Sequence, residues 1–105
     1  MTRLIILLRT REAPYGEQYN KFLMLVEDLP GLRRKAVSQV YAGPGGPAPF
    51  EAVIELTFDD REALREALSS EVGVEAGNLL LRFGGPDSVT LFADTAEEDF
   101  SGMID

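Results

Sequence analysis

The sequence predicts one α+β domain whose strands and helices follow the order β-α-β-β-α-β. Three observations predict it. Apolar residues recur at every second position in some segments and at every third or fourth position in others. Stretches rich in Gly and Pro separate these segments. A chain of 105 residues also has the usual length of one domain, with enough surface to bury for a core without disulfides.

The first half of the chain predicts a strand, a helix and a second strand. Residues 4–8 form a short apolar run between arginines, typical of a strand buried on both faces. From 15 to 29 the spacing becomes helical, and Pro30 and Gly31 end that helix. The helical stripe consists of Tyr15, Tyr19, Phe22, Val26 and Leu29. Residues 32–41 predict the second strand, although neither of its sides is purely apolar.

The segment AGPGGPAPF, residues 42–50, has three glycines and three prolines, as in a phosphate-binding loop, a linker or a hairpin loop. A phosphate-binding loop ends in Lys-Ser or Lys-Thr and leads into a helix. Here no such pair follows, and a strand begins at Phe50. A linker is also excluded, since the strands on its two sides belong to one small sheet. The segment is therefore interpreted as the loop of a hairpin.

The second half predicts a strand, a helix, an extra short helix and a last strand. Residues 50–58 alternate strictly, so one side is core and the other semi-polar. The core side holds Phe50, Ala52, Ile54, Leu56 and Phe58, and the other side holds Glu51, Val53, Glu55 and Thr57. Asp59, with Glu62 three residues later, predicts a capping box for the next helix. A weaker helical segment containing Gly73 and Gly77 follows, and 88–93 predict the last strand.

This order predicts the ferredoxin-like fold, a four-stranded antiparallel sheet with helices on one face. The domain is expected to span residues 1–94. Residues 95–105 form an acidic tail without helical or strand periodicity, and we expect it to be mobile.

Composition excludes several classes of function. The chain contains neither His nor Cys, which excludes a Ser-His-Asp triad, a His-ligated haem, and zinc sites built on His or thiolate. We therefore predict no metal and no cofactor. The net charge of −8 argues against nucleic acid as a partner and is interpreted as a solubility feature, with a basic partner as the alternative. Five consecutive apolar residues near the N-terminus are too few for a signal peptide or a membrane helix, so we expect a cytoplasmic protein.

Four segments in this order resemble the EthD-like proteins, which belong to the dimeric α+β barrel group. They are LPGLRR, the Gly/Pro-rich loop, FEAVIELTFDDREALREAL and GPDSVTLF, and the resemblance covers about residues 3–93. It implies a homodimer in which two sheets face each other around a barrel-like space. EthD-like proteins commonly carry a histidine eight residues before the proline of the LPG motif. Phe22 stands at that position here, followed by the apolar Leu25 and Val26.

The resemblance implies a protein that binds a small apolar organic ligand in a pocket on the sheet face. The enzymatic form of that function is a cofactor-free oxidoreductase of the monooxygenase type. The alternative is a non-catalytic dimeric binding or interaction module whose barrel is filled by side chains.

Glu55 is the candidate catalytic residue. A carboxylate on the semi-polar sheet face, enclosed by a second subunit, would have a raised pKa and serve as a general acid or base. The competing interpretation is a structural ion pair with Arg33, Lys35 or another cation.

Gln39, Tyr41 and Thr90 are candidate ligand-binding residues, because they are polar strand residues able to orient a ligand. Ordinary hydrogen bonds within the sheet or at an interface are the alternative. The basic run at 33–35 could bind an anionic substrate, but alternation places its middle residue on the opposite side, so it is interpreted as a solvated strand start or an interface ion pair.

Overall fold

The computed structural model describes residues 1–100. Its strands are β1 (Thr2–Arg9), β2 (Arg34–Gln39), β3 (Phe50–Phe58) and β4 (Ser88–Asp94). They form one antiparallel sheet in the order β2-β3-β1-β4. The helices are α1 (Glu17–Leu25), α2 (Arg61–Ser69) and α3 (Glu71–Phe83), and 3-10 turns span Val26–Asp28 and Gly85–Asp87. The predicted α+β fold is confirmed, but α3 has 13 residues and is the longest helix described rather than a short extra one.

The core lies between one face of the sheet and the helices. Alternate residues of β1, namely Leu4, Ile6 and Leu8, are buried on this helix side. Ile5 and Leu7 point the other way and are only half-buried, because no helix or strand within residues 1–100 covers that face. Burial of β1 on both faces, as the sequence predicts, therefore needs a second body on the open side.

A β-bulge breaks the alternation at the start of β3. Leu8 pairs with Ala52, but Arg9 pairs with Phe50, so Glu51 is an extra residue between them. Phe50 accordingly lies on the side of Arg9, whose guanidinium stands 5.0 Å from the ring centroid. Glu51 turns instead to the helix side, where it lines a cleft together with Ala52. The predicted sides of Phe50 and Glu51 are therefore wrong, and the pattern holds from Ala52 onward.

The cap of α2 also differs from the prediction. Asp60 is the N-cap, and its Oδ1 accepts a hydrogen bond from the backbone N–H of Ala63 at 2.8 Å. Asp59 instead accepts two hydrogen bonds from Arg33, at 3.0 and 2.9 Å. The predicted box of Asp59 with Glu62 is wrong, since Glu62 makes an ion pair on its own helix.

The Gly/Pro-rich segment joins β2 to β3, as predicted. Gly43 and Gly46 exchange two backbone hydrogen bonds, and Gly46 has a φ of 113°, which favours glycine. The N–H of Thr10, directly after β1, donates to the carbonyl of Pro49 at 2.9 Å. This hydrogen bond holds the loop against the end of β1.

The described part of the acidic tail runs along the other end of β1. The N–H of Thr95 donates to the carbonyl of Met1 at 2.8 Å, and Glu97 forms an ion pair with Arg3. Residues 101–105, which belong to the tail predicted to be mobile, lie outside the described residues.

Candidate functional site

A cavity of about 240 Å³ lies between the helix side of the sheet and the helices, beside β4. We name it the β4 cavity. Its walls come from all three helices, the turn after α1, and strands β1, β3 and β4. The lining residues are Leu4, Ile6, Phe22, Val26, Leu29, Leu56, Leu68, Gly73, Ala76, Gly77, Leu80, Leu81, Ser88, Thr90 and Phe92. Its concave shape and its apolar lining with few polar groups are features of small-molecule sites, and its volume lies just below their usual range.

Small residues on α3 help to open this space. Gly73, Ala76 and Gly77 follow helical spacing and line the cavity together. A Cβ on Gly77 would meet nothing within 4 Å, so the missing side chain leaves open room. A Cβ on Gly73 would instead lie 2.1 Å from the carbonyl oxygen of Ala67, so this glycine allows α3 to start closely against the end of α2.

Two hydroxyl groups are the polar side chains of the β4 cavity. Ser88 Oγ donates to the carbonyl of Gly85 at 3.0 Å and so is engaged in the turn before β4. Thr90 lies on an edge strand, is exposed, and makes no side-chain hydrogen bond within residues 1–100. Thr90 is therefore the hydroxyl available to a ligand.

The cavity offers no acid–base group of its own. Among the described residues that line it, none is Asp, Glu, Lys, Arg or Tyr, and the sequence has no His or Cys. Phe22, at the position where the resemblance implies a histidine, is buried in its wall. The described lining thus presents an apolar ring at this position and no side chain that commonly acts as a general acid or base.

A neighbouring cleft of about 430 Å³ lies at the start of α2 and the end of β4. We name it the arginine cleft, and it is lined by Thr2, Arg61, Leu64, Arg65, Leu68, Phe92, Ala93 and Asp94. Arg61 binds Asp94 with contacts of 3.0 and 3.2 Å from Nε, and Thr2 Oγ1 donates to the same carboxylate at 3.1 Å. These hydrogen bonds, that from Arg61 above all, hold the pKa of the Asp94 carboxyl below its usual value.

A third cleft, of about 510 Å³, lies at the opposite end, beneath the residues that lead into α1. Gln39, Glu51 and Tyr19 contribute to its lining. Burial raises the pKa of the Tyr19 phenol, and the charge of Glu51 raises it further. Burial likewise raises the pKa of Tyr15, whose hydroxyl donates to the carbonyl of Arg9 at 2.6 Å.

Glu55 lies on the other side of the sheet, which we name the open face. Register places there Arg3, Ile5 and Leu7 of β1, Arg34, Ala36 and Ser38 of β2, Val53, Glu55 and Thr57 of β3, and Val89, Leu91 and Ala93 of β4. Arg3 Nη1 contacts Glu55 Oε2 at 3.3 Å and also pairs with Glu97. The ion pair considered for Glu55 is thus present, with Arg3 as the cation rather than Arg33 or Lys35. Those two pair with Asp59 and Glu27.

The structure does not bring the four candidate residues together. Thr90 lines the β4 cavity and Gln39 the third cleft, both on the helix side, while Glu55 lies on the open face. Tyr41, 99% exposed, is in the loop after β2. Sequence patterns did not indicate Phe92 as a lining residue. The helical spacing of Gly73, Ala76 and Gly77 could have indicated the small residues of α3.

Two other kinds of site are absent from residues 1–100. Within residues 1–100, no group of three or more His, Cys, Asp or Glu side chains is placed to hold a metal ion. No helix in that part of the chain is long and apolar enough to cross a membrane.

The fold is shared with solved structures. The crystal structure of an ethyl tert-butyl ether D (EthD) family protein from Bacillus halodurans C-125 matches with a TM-score of 0.86 and 25% identity, over 91% of this chain and 99% of that chain. This chain is EthD-like. Several other similar structures are described as dimeric ferredoxin-like proteins. Comparison with protein-family models and with curated proteins gives no match.

Two enzymes also have this EthD-like fold. Hydroxynitrile lyase from Passiflora edulis matches with a TM-score of 0.72 and 17% identity, over 93% of this chain and 95% of that chain. SnoaB, a cofactor-independent oxygenase from Streptomyces nogalater, matches with a TM-score of 0.66 and 14% identity, over 95% of this chain and 96% of that chain. At these identities the likeness concerns the fold alone, and one fold carries a lyase and an oxygenase.

Proposed function

We propose that this EthD-like protein binds a small apolar organic molecule in the β4 cavity. The observation that carries the proposal is the character of the lining, in which two of fifteen residues, Ser88 and Thr90, have polar side chains. Removing an apolar ligand from water stabilises such a complex, and the free hydroxyl of Thr90 orients the ligand. No cofactor and no metal enter the proposal.

A cofactor-free oxidoreductase of the monooxygenase type is the second candidate, favoured by the shared fold with SnoaB. In that case the β4 cavity would enclose the substrate, and the substrate's own ionisable group would have to supply the reactive anion. Glu55, the carboxylate predicted to be catalytic, belongs to a different form of this candidate, in which the substrate binds at the open face. It would serve only a ligand bound at the open face, because the sheet separates it from the β4 cavity.

We also propose that the functional unit is a homodimer formed through the open face. Similar structures described as dimeric support this proposal. So does the face itself, where Ile5, Leu7 and Val53 remain half-buried and Leu91 is 47% exposed. A homodimer joined in this way would leave the β4 cavity, on the opposite side of each sheet, open to a ligand.

The alternative function remains a non-catalytic dimeric binding or interaction module whose barrel is filled by side chains. The cytoplasmic location stays a prediction.

The binding proposal is tested with the neutral fluorescent probe N-phenyl-1-naphthylamine, whose emission rises in apolar surroundings. Titration should show saturable binding to the wild-type protein. Gly77→Leu should lower the affinity by about tenfold or more, because the new side chain takes apolar volume that the probe would fill, worth roughly 1.4 kcal/mol. Asn78→Leu is the matched control, since residue 78 is the exposed neighbour on α3 and does not line the cavity.

Equal loss of affinity in both leucine variants would contradict binding in the β4 cavity, and so would a wild-type protein that does not bind the probe. Comparable thermal unfolding of the two variants shows that the fold is intact. Incubation with air-saturated buffer and candidate aromatic substrates, followed by mass spectrometry of products, separates the second candidate from simple binding.

A further inference from the structure

We infer that the natural ligand of the β4 cavity is an apolar molecule bearing a carboxylate, with the carboxylate held by Arg61 and Arg65 in the arginine cleft. This inference rests on the proposed function and adds the chemical class of the ligand. It places the hydrocarbon or aromatic part beside Thr90 and the acidic end against two guanidinium groups.

The two spaces are neighbours. The β4 cavity and the arginine cleft share two lining residues, Leu68 and Phe92. Phe92 is 66% exposed, so its ring is free to change rotamer at little cost in packing. A ligand too large for the β4 cavity of about 240 Å³ would extend between these two side chains into the arginine cleft of about 430 Å³.

The cleft carries the charges that an acid would meet. Two guanidinium groups line it against one carboxylate, that of Asp94, although the whole chain has a net charge of −8. The guanidinium fork matches a carboxylate with two parallel hydrogen bonds, and for this reason arginine is frequent in such sites. Glu62, which pairs with Arg65, balances the second guanidinium, so an acid would bind by replacing a carboxylate rather than by meeting an excess of positive charge.

The existing ion pairs of both arginines can be exchanged. The side chains of Arg61 and Arg65 are 84% and 74% exposed, and ion pairs at such exposure contribute little to stability. Arg65 pairs with Glu62, one turn earlier on α2, which does not line the cleft. A ligand carboxylate can thus replace Glu62 at small cost. An ammonium ligand would instead have to displace Arg61 from Asp94, whose carboxylate also accepts from Thr2.

Displacement of N-phenyl-1-naphthylamine by octanoate, octanol and octylammonium tests the inference, because the three compounds share one chain and differ in the head group. Octanoate should displace the probe from the wild-type protein at about three- to tenfold lower concentration than octanol, the range expected for a partly exposed charged contact. Arg65→Gln should remove this preference and leave displacement by octanol unchanged. Added salt should weaken octanoate alone.

Controls separate this inference from the proposed function. Arg82→Gln removes an exposed arginine of α3 that lines neither space, and it should keep the octanoate preference. Arg61→Gln is a second test variant, checked by thermal unfolding because it also breaks the contact with Asp94. If octanol or octylammonium displaces the probe as well as octanoate does, or if Arg65→Gln keeps the preference, the inference is overturned and apolar binding stands. If the probe does not bind at all, both fail.

Discussion

At the scale of single residues, two glycines of one helix serve opposite purposes. At Gly73 an added methyl group would collide with the backbone of α2, at 2.1 Å from the Ala67 oxygen and 2.7 Å from the Leu68 oxygen. At Gly77 the same methyl group would point into open space. From sequence alone, both glycines are expected to destabilise the helix relative to alanine. The structure shows that the first permits a close helix contact and the second borders a cavity.

These two positions predict stability changes of opposite sign. Gly77→Ala should raise the free energy of unfolding by about 0.5–1 kcal/mol, since alanine favours the helix and meets no neighbour. Gly73→Ala should lower it by about 1–3 kcal/mol, because α2 and α3 must move apart. Urea unfolding followed by circular dichroism measures both. Two stabilising substitutions, or two destabilising ones, would contradict the packing at this junction.

At the scale of elements, strand β3 shows which residues a period-two pattern assigns to the correct side of the sheet. The strand limits predicted from alternation agree with the observed Phe50–Phe58, and the sides are right from Ala52 onward. The first two residues exchange sides because a bulge opposite β1 inserts Glu51. A bulge depends on how two distant strands pair, and that pairing leaves no mark in the alternation of either strand.

Helix α2 gives a prediction that distinguishes two adjacent aspartates. Asp60→Ala should lower the free energy of unfolding by about 0.5–2 kcal/mol, because its carboxylate accepts the hydrogen bond from the N–H of Ala63. Asp59→Ala should cost less than Asp60→Ala, since it removes an exposed ion pair with Arg33. Chemical denaturation of the two variants checks the order. An equal or reversed order would support the capping box expected from sequence instead.

At the scale of the whole molecule, the fold was predictable and the β4 cavity was not. Helix and strand periods, with Gly and Pro between them, suffice for the element order and hence the sheet. The β4 cavity is a gap left by residues from seven segments, including Leu4, Val26 and Gly77. Its position depends on packing distances that periodicity does not encode. Thr90 was predicted as a ligand contact because it is polar, and it lies on the helix side rather than the open face.

The open face is where the whole molecule is expected to associate. It carries an apolar centre, including Ile5 and Leu91, which pair across β1 and β4, together with charges of both signs from Arg3 and Glu55. Two copies related by a twofold axis would bury the apolar residues of both faces against each other. Burial of this area is also what the continuous apolar run of β1 indicates.

A charged substitution on this face should separate the subunits. The wild-type protein is expected to sediment as a dimer at micromolar concentration, and Leu91→Glu should shift it toward monomer, because each copy would bring an unpaired carboxylate into the apolar centre. Met24→Glu is the matched control, since Met24 is an exposed apolar residue of α1, on the helix side. It should leave the dimer intact. A wild-type monomer in analytical ultracentrifugation, or equal dissociation in both variants, would contradict association through the open face.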